Sequence, residues 1–461
     1  MIRLFGHYVS KTFLMLGIIE FLVSAISLVA GHHLRIITES WEITPIYSIW
    51  FTATIYAALM TASMLSVGLY QRGATFTSGM LVRIGLAFVF ASMAMSLLFY
   101  GFPDLFLGRG SMAYTMLFTL VGVLVLRSLF VRLVDSESRM RRVLVVGAGQ
   151  QAEMVEHESP QSDGVHVVGY IRVHSSETQV PEDRLIHLDK SLIELVHELE
   201  VDELVIAPDD RRLNLPVDEV LDCKMSGIMV LDLLSYFEKE ASRIKLNILH
   251  PSWIFFSQGF QLGSAAAYGK RIFDALVSSA MLVVAAPLML LVAVAIFIES
   301  RGRGSVLFHQ TRVGLDGKTF RVHKFRSMRM DAESDGVARW AQKNDSRITK
   351  VGAFIRKTRL DELPQLFNVL VGEMSIVGPR PERPEFVEQL TEEIPFYNER
   401  HRVKPGLTGW AQLCYEYGAT TEDARNKLEF DLYYVKNASL FLDLIVLLET
   451  VEVVLWGKGA R

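Results

Sequence analysis

The sequence predicts a membrane protein with α and α/β parts: four transmembrane helices, then a doubly wound α/β domain, then an α+β domain that contains a re-entrant membrane helix. Three observations lead to this fold class. Of the 461 residues, 50% are hydrophobic and the mean hydropathy is positive, which is high for a wholly soluble protein. Long apolar runs fill the first part of the chain, and short strand-like runs with glycine turns follow. We place the domains at 1–134, 140–250 and 266–461.

The first domain is predicted from four apolar stretches, each close to the roughly 20 residues that a helix needs to cross a bilayer. These stretches lie near 12–31, 47–69, 84–102 and 112–131. Basic residues concentrate at both ends of the domain and in its middle connection, namely Arg3, Lys11, Arg72, Arg132, Arg139, Arg141 and Arg142. The positive-inside bias therefore predicts that both ends are cytoplasmic. Glu20 interrupts the first helix as either a functional carboxylate or, as we favour, a partner in an interhelical hydrogen bond.

The second domain opens with "RVLVVGAGQQAEMV", which predicts a buried strand, a turn at Gly147 and Gly149, and a helix. This order is typical of a Rossmann-like domain, and further strands are predicted at 165–171, 203–207 and 228–232. A dinucleotide site would need an acidic residue about 20 residues further on, where "VHVVGYIRV" offers none. The Tyr-x-x-x-Lys pair of short-chain reductases is also missing from the sequence. A structural or regulatory role is therefore favoured over redox catalysis.

A fifth apolar run, from Ile272 to Ile298, is long enough to cross a membrane. Lys270 and Arg271 precede it and a strongly basic segment follows it, so a true crossing would place that basic segment outside. A helix broken at Pro287 that enters and leaves by the same face satisfies the charge bias better. An ordinary spanning helix with a proline kink is the alternative.

The charge distribution indicates an anionic partner for the third domain. Residues 301–360 carry 15 Lys and Arg against 5 Asp and Glu, although the net charge of the chain is -4. The only cysteines, Cys223 and Cys414, fit neither a disulfide framework nor a metal-ligand spacing. We therefore expect the soluble parts to lie in a reducing compartment.

The segment "FHQTRVGLDGKTFRVHKFRSMRM" predicts two strands joined by a turn at Gly314 and Gly317. If 320–326 is extended, Lys324 and Arg326 point to the same face, where paired cations could hold a diphosphate. A solvated basic strand edge is an equal alternative.

The segment "IRKTRLDELPQLFNVLVG" carries a carboxylate pair, Asp361 and Glu362. Pro364 suits the first turn of a helix that ends near Gly372, so the pair precedes a helix N-terminus, which keeps carboxylates ionised and favours phosphate. An ionised Asp can attack phosphorus, and an adjacent carboxylate can hold a divalent cation. An Asp-Glu pair is usually only a polar helix start. Neighbouring cations raise its importance here, namely Arg356, Arg359 and, within "SIVGPRPERPEF", Arg380.

A third candidate group could form a nucleotide or sugar pocket. It consists of Arg312 together with Lys404 and Trp410 from "RVKPGLTGWAQ". A purely structural turn is an equal alternative for the latter segment.

Together these motifs resemble the bacterial polyprenyl-phosphate hexose-1-phosphate transferases, the monotopic phosphoglycosyl transferases. The resemblance covers about 266–461, with six motifs in order: Lys270, Arg271 and Asp274 as Lys-Arg-x-x-Asp, then KFRSM, LDELPQLFNVL, SIVGPRP, KPGLTGWAQ and "DLYYVKNASLFLDL". The preceding helices and α/β domain look like the long-form members, and "YEYGATTEDARNKLEFDLYYVKN" is most similar to the exopolysaccharide and exosortase-associated branch.

The resemblance implies a two-step reaction on a cytoplasmic UDP-sugar, with Asp361 as nucleophile. For a long-form member we expect UDP-glucose or UDP-galactose. UMP leaves, and polyprenyl phosphate then accepts the phosphosugar. It also implies Mg²⁺ held by Glu362 and Asp361, with Lys324, Arg326, Arg356 and Arg380 as phosphate-binding residues. The run at 272–298 would be the re-entrant helix of an inner-membrane enzyme, with Lys270, Arg271, Asp274 and Pro287 as its anchor. A homodimer is expected, and a nucleic-acid partner is not.

The sequence departs from the family pattern at three places. Ala286-Pro287 replaces a common Ser-Pro, Arg359 stands where Ser is common, and "AQLCYEYGA" replaces an Asn-Gly-Arg continuation. Two other functions stay open: a nucleotide-sugar epimerase, dehydratase or reductase that uses the α/β domain, and a non-enzymatic scaffold of a polysaccharide export complex.

Overall fold

The computed structural model describes residues 1–39, 47–70, 78–134, 140–158, 164–173, 178–209, 215–260, 263–330, 347–415, 418 and 420–456. Arg72 and Arg139, on which the predicted orientation partly rests, lie outside the described residues. The chain divides into two compact units. Unit 1 comprises Met1–Ile2 and Tyr8–Ser242, and unit 2 comprises Arg3–His7 and Arg243–Arg461.

Long apolar helices dominate the first part of unit 1. Two short strands, β1 (Ile2–Leu4) and β2 (His7–Val9), precede them in the chain. The helices are α1 (Lys11–Glu39), α2 (Ile49–Ser66), α3 (Ser78–Gly101) and α4 (Arg109–Val134). Each lies where an apolar stretch predicted it. Each is also long and apolar enough to cross a membrane, which makes the protein membrane-associated.

A buried ion pair joins the first and last of these helices. Glu20 of α1 lies against Arg127 of α4, with 2.7 Å between Oε1 and Nε and 3.0 Å between Oε2 and an Nη atom. The Tyr70 hydroxyl donates to the same carboxylate, and the other Nη atom of Arg127 donates to the Leu69 carbonyl at 3.0 Å. The predicted interhelical hydrogen bond of Glu20 is therefore confirmed, and its partner is a cation that the sequence reading did not single out.

The rest of unit 1 is built on a five-stranded parallel sheet in the order β5-β4-β3-β6-β7. Its strands are β3 (Arg141–Val146), β4 (Val165–Ile171), β5 (Leu185–Ile186), β6 (Glu203–Ile206) and β7 (Met229–Asp232). Its helices are α5 (Gln150–Glu158), α6 (Leu192–Glu198), α7 (Val217–Met225) and α8 (Leu233–Ala241). All of the predicted strands are present, and β5 is an additional strand of two residues. Gly147 follows β3 with φ +139°, and a Cβ there would collide with the Ala207 backbone.

Unit 2 contains a 36-residue helix, α10 (Ser264–Glu299), preceded by the short α9 (Pro251–Phe256). The prediction that the helix breaks at Pro287 is wrong, because helical structure continues through it. A single proline removes one hydrogen bond, which kinks a helix more often than it ends one when helix-forming residues flank it on both sides. Near its start α10 contacts α12 through Arg271, and near its end Ile296 packs with Phe325 and Ile355. Both ends of α10 therefore pack against other elements of unit 2.

The remaining elements of unit 2 form an α+β arrangement around two small sheets. The strands are β8 (Leu307–Val313) and β9 (Thr319–Phe325), which pair antiparallel as predicted, and β10 (Ser375–Val377) and β11 (Gly406–Thr408), which pair parallel. The helices are α11 (Lys350–Lys357), α12 (Gln365–Val371), α13 (Pro384–Glu393), α14 (Trp410–Cys414), α15 (Thr421–Asn437) and α16 (Leu440–Trp456).

Candidate active site

The carboxylate pair lies on a tight turn between two helices of unit 2. Arg359 adopts the left-handed conformation (φ 59°) after α11, and residues Leu360–Glu362 form one 3-10 turn. Pro364 then precedes α12, and Gly372 ends it with φ 99°. The predicted helix start and the glycine stop are therefore confirmed, since proline suits the first turn and glycine the left-handed end.

Glu362 is buried and contacts two cations, one on strand β9 and one in the segment after strand β10. Lys324 of β9 places its Nζ 3.1 Å from Oε1 of Glu362, and Arg380, which follows β10, places an Nη atom 2.7 Å from the same oxygen. Charge-assisted hydrogen bonds of this kind are about twice as strong as neutral ones. Glu362 thus holds together two of the four cations that are predicted to bind phosphate.

Burial and charge give the two carboxylates different acidities. Burial opposes ionisation of Glu362, but the charges of Arg380 and Lys324 outweigh it and hold the pKa of Glu362 well below its usual range. Burial, and then the negative charge of Glu362, raises the pKa of Asp361 to about 6. Burial lowers the pKa of Lys324, and the Glu362 carboxylate opposes that shift. At neutral pH both carboxylates are therefore ionised, Asp361 the less stably of the two.

A cleft opens beside the pair and is rich in positive charge. It is lined by Arg312, Val322, Lys324, Gln365, Arg380, Pro381, Gly406 and Leu407. Arg312 is oriented by the Gln310 side chain at 2.7 Å and by the Pro381 carbonyl at 3.2 Å. The structure therefore brings Arg312, Lys324 and Arg380 together around one space, as a ligand with several negative charges would require.

Two other predicted phosphate-binding residues are placed differently. Arg356, in the last turn of α11, is close enough to Asp361 for its charge to favour ionisation of that carboxyl. Arg326 lies just past the end of β9, where its guanidinium donates to the Arg303 carbonyl at 3.2 Å. The Arg326 guanidinium thus contacts a backbone carbonyl, and its predicted pairing with Lys324 around a diphosphate stays a prediction.

Lys404 and Trp410 do not lie with the carboxylates. Burial lowers the pKa of Lys404, and the charges that it senses are those of Arg271, Asp274 and Lys270 on α10. Trp410 is 8% exposed and lies against two rings, with centroid distances of 5.4 Å to His7 and 6.1 Å to Tyr433. The structural alternative for this turn fits these positions, and the predicted role of the two residues in a nucleotide pocket stays a prediction.

Gln412, two residues after Trp410, reaches the site instead. An Arg380 Nη atom donates to Oε1 of Gln412 at 3.2 Å, so Glu362 and Gln412 bind the two prongs of the same guanidinium. Since arginine only donates, the Gln412 oxygen must face it. The sequence does indicate this residue, because Gln412 is the polar residue at the end of the RVKPGLTGWAQ segment that also contains Trp410.

Asn368 is a second residue that the sequence reading did not single out. It is buried in α12, where its amide nitrogen donates to the Arg321 carbonyl at 2.7 Å and its oxygen accepts from the His323 N–H at 3.1 Å. These bonds satisfy two backbone groups of β9. They hold the strand that carries Lys324 against the helix that follows the carboxylate pair.

The Lys-Arg-x-x-Asp residues fasten α10 to the elements that carry the site. Arg271 donates to the carbonyls of Val369 and Leu370, the last turn of α12, at 2.8 and 2.5 Å. Asp274 accepts from the Ile376 N–H at 3.0 Å, and Lys270 lies 2.6 Å from the Asp443 carboxylate of α16. Cations near a helix C-terminus and carboxylates at backbone N–H groups are both stabilising.

A divalent cation would find two adjacent carboxylates here, Asp361 and Glu362. Among the described residues no group of three or more His, Cys, Asp or Glu side chains is arranged to hold a metal. Mg²⁺ is usually held by one or two carboxylates together with substrate phosphates, so two protein carboxylates beside a cleft lined by cations fit that ion.

The glycine turn of the α/β part of unit 1 is occupied by its own chain. Asp209 follows β6, and its two carboxylate oxygens accept from the N–H groups of Gln150 and Gln151, at 2.9 and 2.8 Å, at the start of α5. The turn lies where the strand order reverses, between β3 and β6. A dinucleotide pyrophosphate binds such N–H groups at such a crevice. This arrangement supports the structural or regulatory reading of the domain.

Comparison with known proteins gives two consistent findings for unit 2. The family model described as "Bacterial sugar transferase" matches residues 265–457. A protein of Rhizobium leguminosarum bv. phaseoli named exopolysaccharide production protein PSS is 46% identical over 197 residues, which are 41% of this chain and 97% of that protein.

Two longer relatives carry more specific names. A UDP-N-acetylgalactosamine-undecaprenyl-phosphate N-acetylgalactosaminephosphotransferase of Aeromonas hydrophila is 45% identical over 52% of this chain. A UDP-glucose:undecaprenyl-phosphate glucose-1-phosphate transferase of Klebsiella pneumoniae is 46% identical over 40% of this chain. The alignments span only 55% and 39% of these two relatives.

Proposed function

Because this chain belongs to the bacterial sugar transferase family, we propose that it transfers a sugar 1-phosphate from a UDP-sugar to polyprenyl phosphate and releases UMP. The observation that carries the proposal is the pair formed by Asp361, with a pKa of about 6, and Glu362, kept ionised by Lys324 and Arg380. A carboxylate with a pKa near neutrality is ionised in the cell, and its environment stabilises that charge poorly, so it is a suitable nucleophile.

The proposed reaction has two displacements at the sugar-bearing phosphorus. In the first, an Asp361 oxygen bonds to phosphorus, the bond from phosphorus to the bridging oxygen breaks, and UMP leaves with that oxygen. In the second, a phosphate oxygen of polyprenyl phosphate bonds to the same phosphorus, and the Asp361 carboxylate is released. Arg380 and Lys324 stabilise charge on the phosphate oxygens, which is the main way that enzymes promote phosphoryl transfer.

Mg²⁺ fits the proposed site, with Asp361 and Glu362 as its protein ligands. When bound, it would reduce the charge repulsion between the carboxylates and an anionic substrate. Lys324 and Arg380 already neutralise one oxygen of Glu362, so the protein itself contributes much of the charge balance.

The decisive experiment measures UMP release from membranes that contain the full chain, given UDP-sugar and polyprenyl phosphate. We expect Asp361→Asn to abolish release, since an amide oxygen is a poor nucleophile. Asp316→Asn is the matched control, because Asp316 is exposed in the β8–β9 turn and Asn tolerates its φ of 52°. Equal UMP release from wild type and Asp361→Asn would remove Asp361 as nucleophile. Bound NAD(P) with cofactor-dependent turnover would favour the reductase alternative.

We propose further that α10 enters and leaves the membrane by the same face. Both of its ends contact unit 2, through Arg271 and through Ile296, while its central residues Val283 and Val284 are 77% and 80% exposed. A straight 36-residue helix is roughly 54 Å long. Contacts at both ends with one unit therefore favour re-entry with a bend at Pro287. We propose that this unit lies at the cytoplasmic face of an inner membrane, as the charge bias of the sequence predicts.

Cysteine labelling tests this topology in a background where Cys223 and Cys414 are replaced by serine. We expect Ser300→Cys, just beyond α10, to stay unlabelled by an impermeant reagent added from outside. Asp104→Cys, in the connection between α3 and α4, should be labelled if both ends of the four-helix region are cytoplasmic. Labelling of both positions would restore the spanning helix.

The sugar and the assembly state are narrower proposals. UDP-glucose or UDP-galactose is the proposed donor for a first membrane step of exopolysaccharide synthesis. A panel that also includes UDP-N-acetylgalactosamine, compared by UMP release, would identify it. The homodimer stays a prediction, which the particle mass in nanodiscs would test.

A further inference from the structure

The residues Arg3–His7, here called the N-terminal arm, belong to unit 2, although the residues before and after them in the chain belong to unit 1. His7 is 7% exposed, and its Nδ1 lies 2.9 Å from the Tyr433 hydroxyl of α15. Its ring meets Trp410 edge-on at a centroid distance of 5.4 Å and Tyr433 at 6.0 Å. The three rings form one aromatic cluster, in which edge-to-face contacts are favourable.

Other residues of the arm fix it in place. Arg3 donates to Oδ1 of Asn437 at 3.2 Å, and the Phe5 ring lies 5.8 Å from the Phe441 ring. Gly6 has φ +92°, and a Cβ there would lie only 3.2 Å from Asn437 Oδ1, which favours glycine twice over. The arm is therefore seated through several independent contacts.

A short series of contacts leads from the arm to the carboxylate pair. Trp410 is the first residue of α14, and the same helix carries Gln412. Gln412 accepts from Arg380, and Arg380 binds Glu362. Trp410, which contacts His7, and Gln412, which binds one Nη atom of Arg380, therefore lie two residues apart on the same short helix.

We infer that His7 is a positioning residue of the proposed transferase site, acting through Trp410 and Gln412 on Arg380. The inference rests on the proposed function. It also gives the arm a role beyond packing. The arm is continuous in the chain with the first apolar helix, since α1 begins at Lys11.

The test is a double-mutant cycle in the full chain, with kcat/KM for UMP release as readout. We expect His7→Ala and Gln412→Ala each to lower it about tenfold, and the double variant to be little worse than either single one. Coupled residues give such non-additive effects, whereas general destabilisation gives multiplied ones. His7→Phe, which keeps a ring against Trp410, should restore most of the activity.

His32→Ala is the matched control, because His32 is a buried histidine of α1 with one hydroxyl partner, Ser111. Its effect should multiply with that of Gln412→Ala. Unchanged activity in His7→Ala, or multiplied effects in its cycle, would overturn the inference while leaving the transferase proposal intact. Absence of UMP release from wild type would instead remove the proposed function. Thermal unfolding of each variant separates loss of fold from loss of positioning.

Discussion

Two buried carboxylates, Glu20 among the apolar helices of unit 1 and Glu362 in unit 2, are balanced in different ways. Glu20 meets one cation, Arg127, through both of its oxygens, and the Tyr70 hydroxyl completes the contact. Glu362 receives Lys324 and Arg380 on a single oxygen, beside a second carboxylate and a positively charged cleft.

The difference distinguishes a structural ion pair from a site that can bind a negatively charged substrate. The Glu20 carboxylate and the Arg127 guanidinium neutralise each other, so the pair has no net charge with which to bind a ligand. Its role is to join α1 and α4. Around Glu362 the cations outnumber the carboxylates by one. Lys324, Arg380, Arg312 and Arg356 lie near the same cleft or carboxyl, against Glu362, Asp361 and Glu382, the last of which is 3.4 Å from Arg312. An excess of positive charge at an open cleft attracts a phosphorylated substrate.

The largest expected effect is a loss of stability when the Glu20–Arg127 pair is broken. Arg127→Leu leaves Glu20 without its counter-ion, and we expect a loss of about 3–5 kcal/mol of stability, because removing one partner of a buried pair is costly. The double variant Arg127→Leu with Glu20→Leu should recover most of it. Thermal unfolding in nanodiscs measures both. A single variant as stable as wild type would show that the pair does not join the helices.

The next effect belongs to the site. Glu362→Gln keeps the shape of the side chain and removes its charge, so we expect turnover to fall roughly 100-fold as electrostatic stabilisation is lost. The dependence on Mg²⁺ concentration should weaken with it. Glu20→Gln is the control and should leave UMP release per folded molecule within about twofold. An unchanged metal titration in Glu362→Gln would remove Glu362 as a ligand.

A smaller effect distinguishes Lys324, which binds Glu362, from Arg326, which contacts the Arg303 carbonyl. Lys324→Ala should raise the KM for the UDP-sugar about tenfold, which corresponds to one charge-assisted hydrogen bond to substrate. Arg326→Ala should change KM less than threefold, since its guanidinium is directed to the Arg303 carbonyl. Equal effects of both variants would restore the pair of cations predicted from the strand pattern.

The smallest effect is a pH dependence. Asp361 must be ionised to attack, and its pKa is raised to about 6, so UMP release should rise as pH increases through that value. At limiting Mg²⁺ we expect about half of the maximal rate at pH 6 and roughly a tenth at pH 5, whereas saturating Mg²⁺ should move the midpoint to lower pH because a cation favours the ionised carboxylate. A rate that is flat between pH 5 and 7 would contradict the raised pKa.

Hydrophobic pattern and turn residues predicted the elements of this fold well, because they act locally. The strand at 165–171 is observed as Val165–Ile171, and Pro364 and Gly372 bound α12 as their backbone preferences require. Helix propensity does not decide whether a proline within a long apolar helix ends the helix or only bends it. The flanking residues keep α10 helical through Pro287, whereas the sequence reading placed a break there.

The site was predicted in its chemistry and only partly in its geometry. Asp361, Glu362, Lys324 and Arg380 follow from motifs and are found together. Gln412 and Trp410 lie two residues apart in one motif, yet one reaches Arg380 and the other packs against His7. Arg127 was detectable as a cation in an apolar helix, but its pairing with Glu20 spans 107 positions. Such long-range choices depend on packing that a local pattern does not encode.

Asp209 changes how the α/β part of unit 1 can respond to its surroundings. A free nucleotide binds in proportion to its concentration, whereas a side chain of the same protein is present at a fixed effective concentration, in the millimolar range for short flexible links. The N–H groups of Gln150 and Gln151 therefore meet the same anion whether the cell is rich or poor in nucleotides. Occupancy of the α5 N-terminus is therefore set by Asp209 of the protein itself and not by the nucleotide concentration.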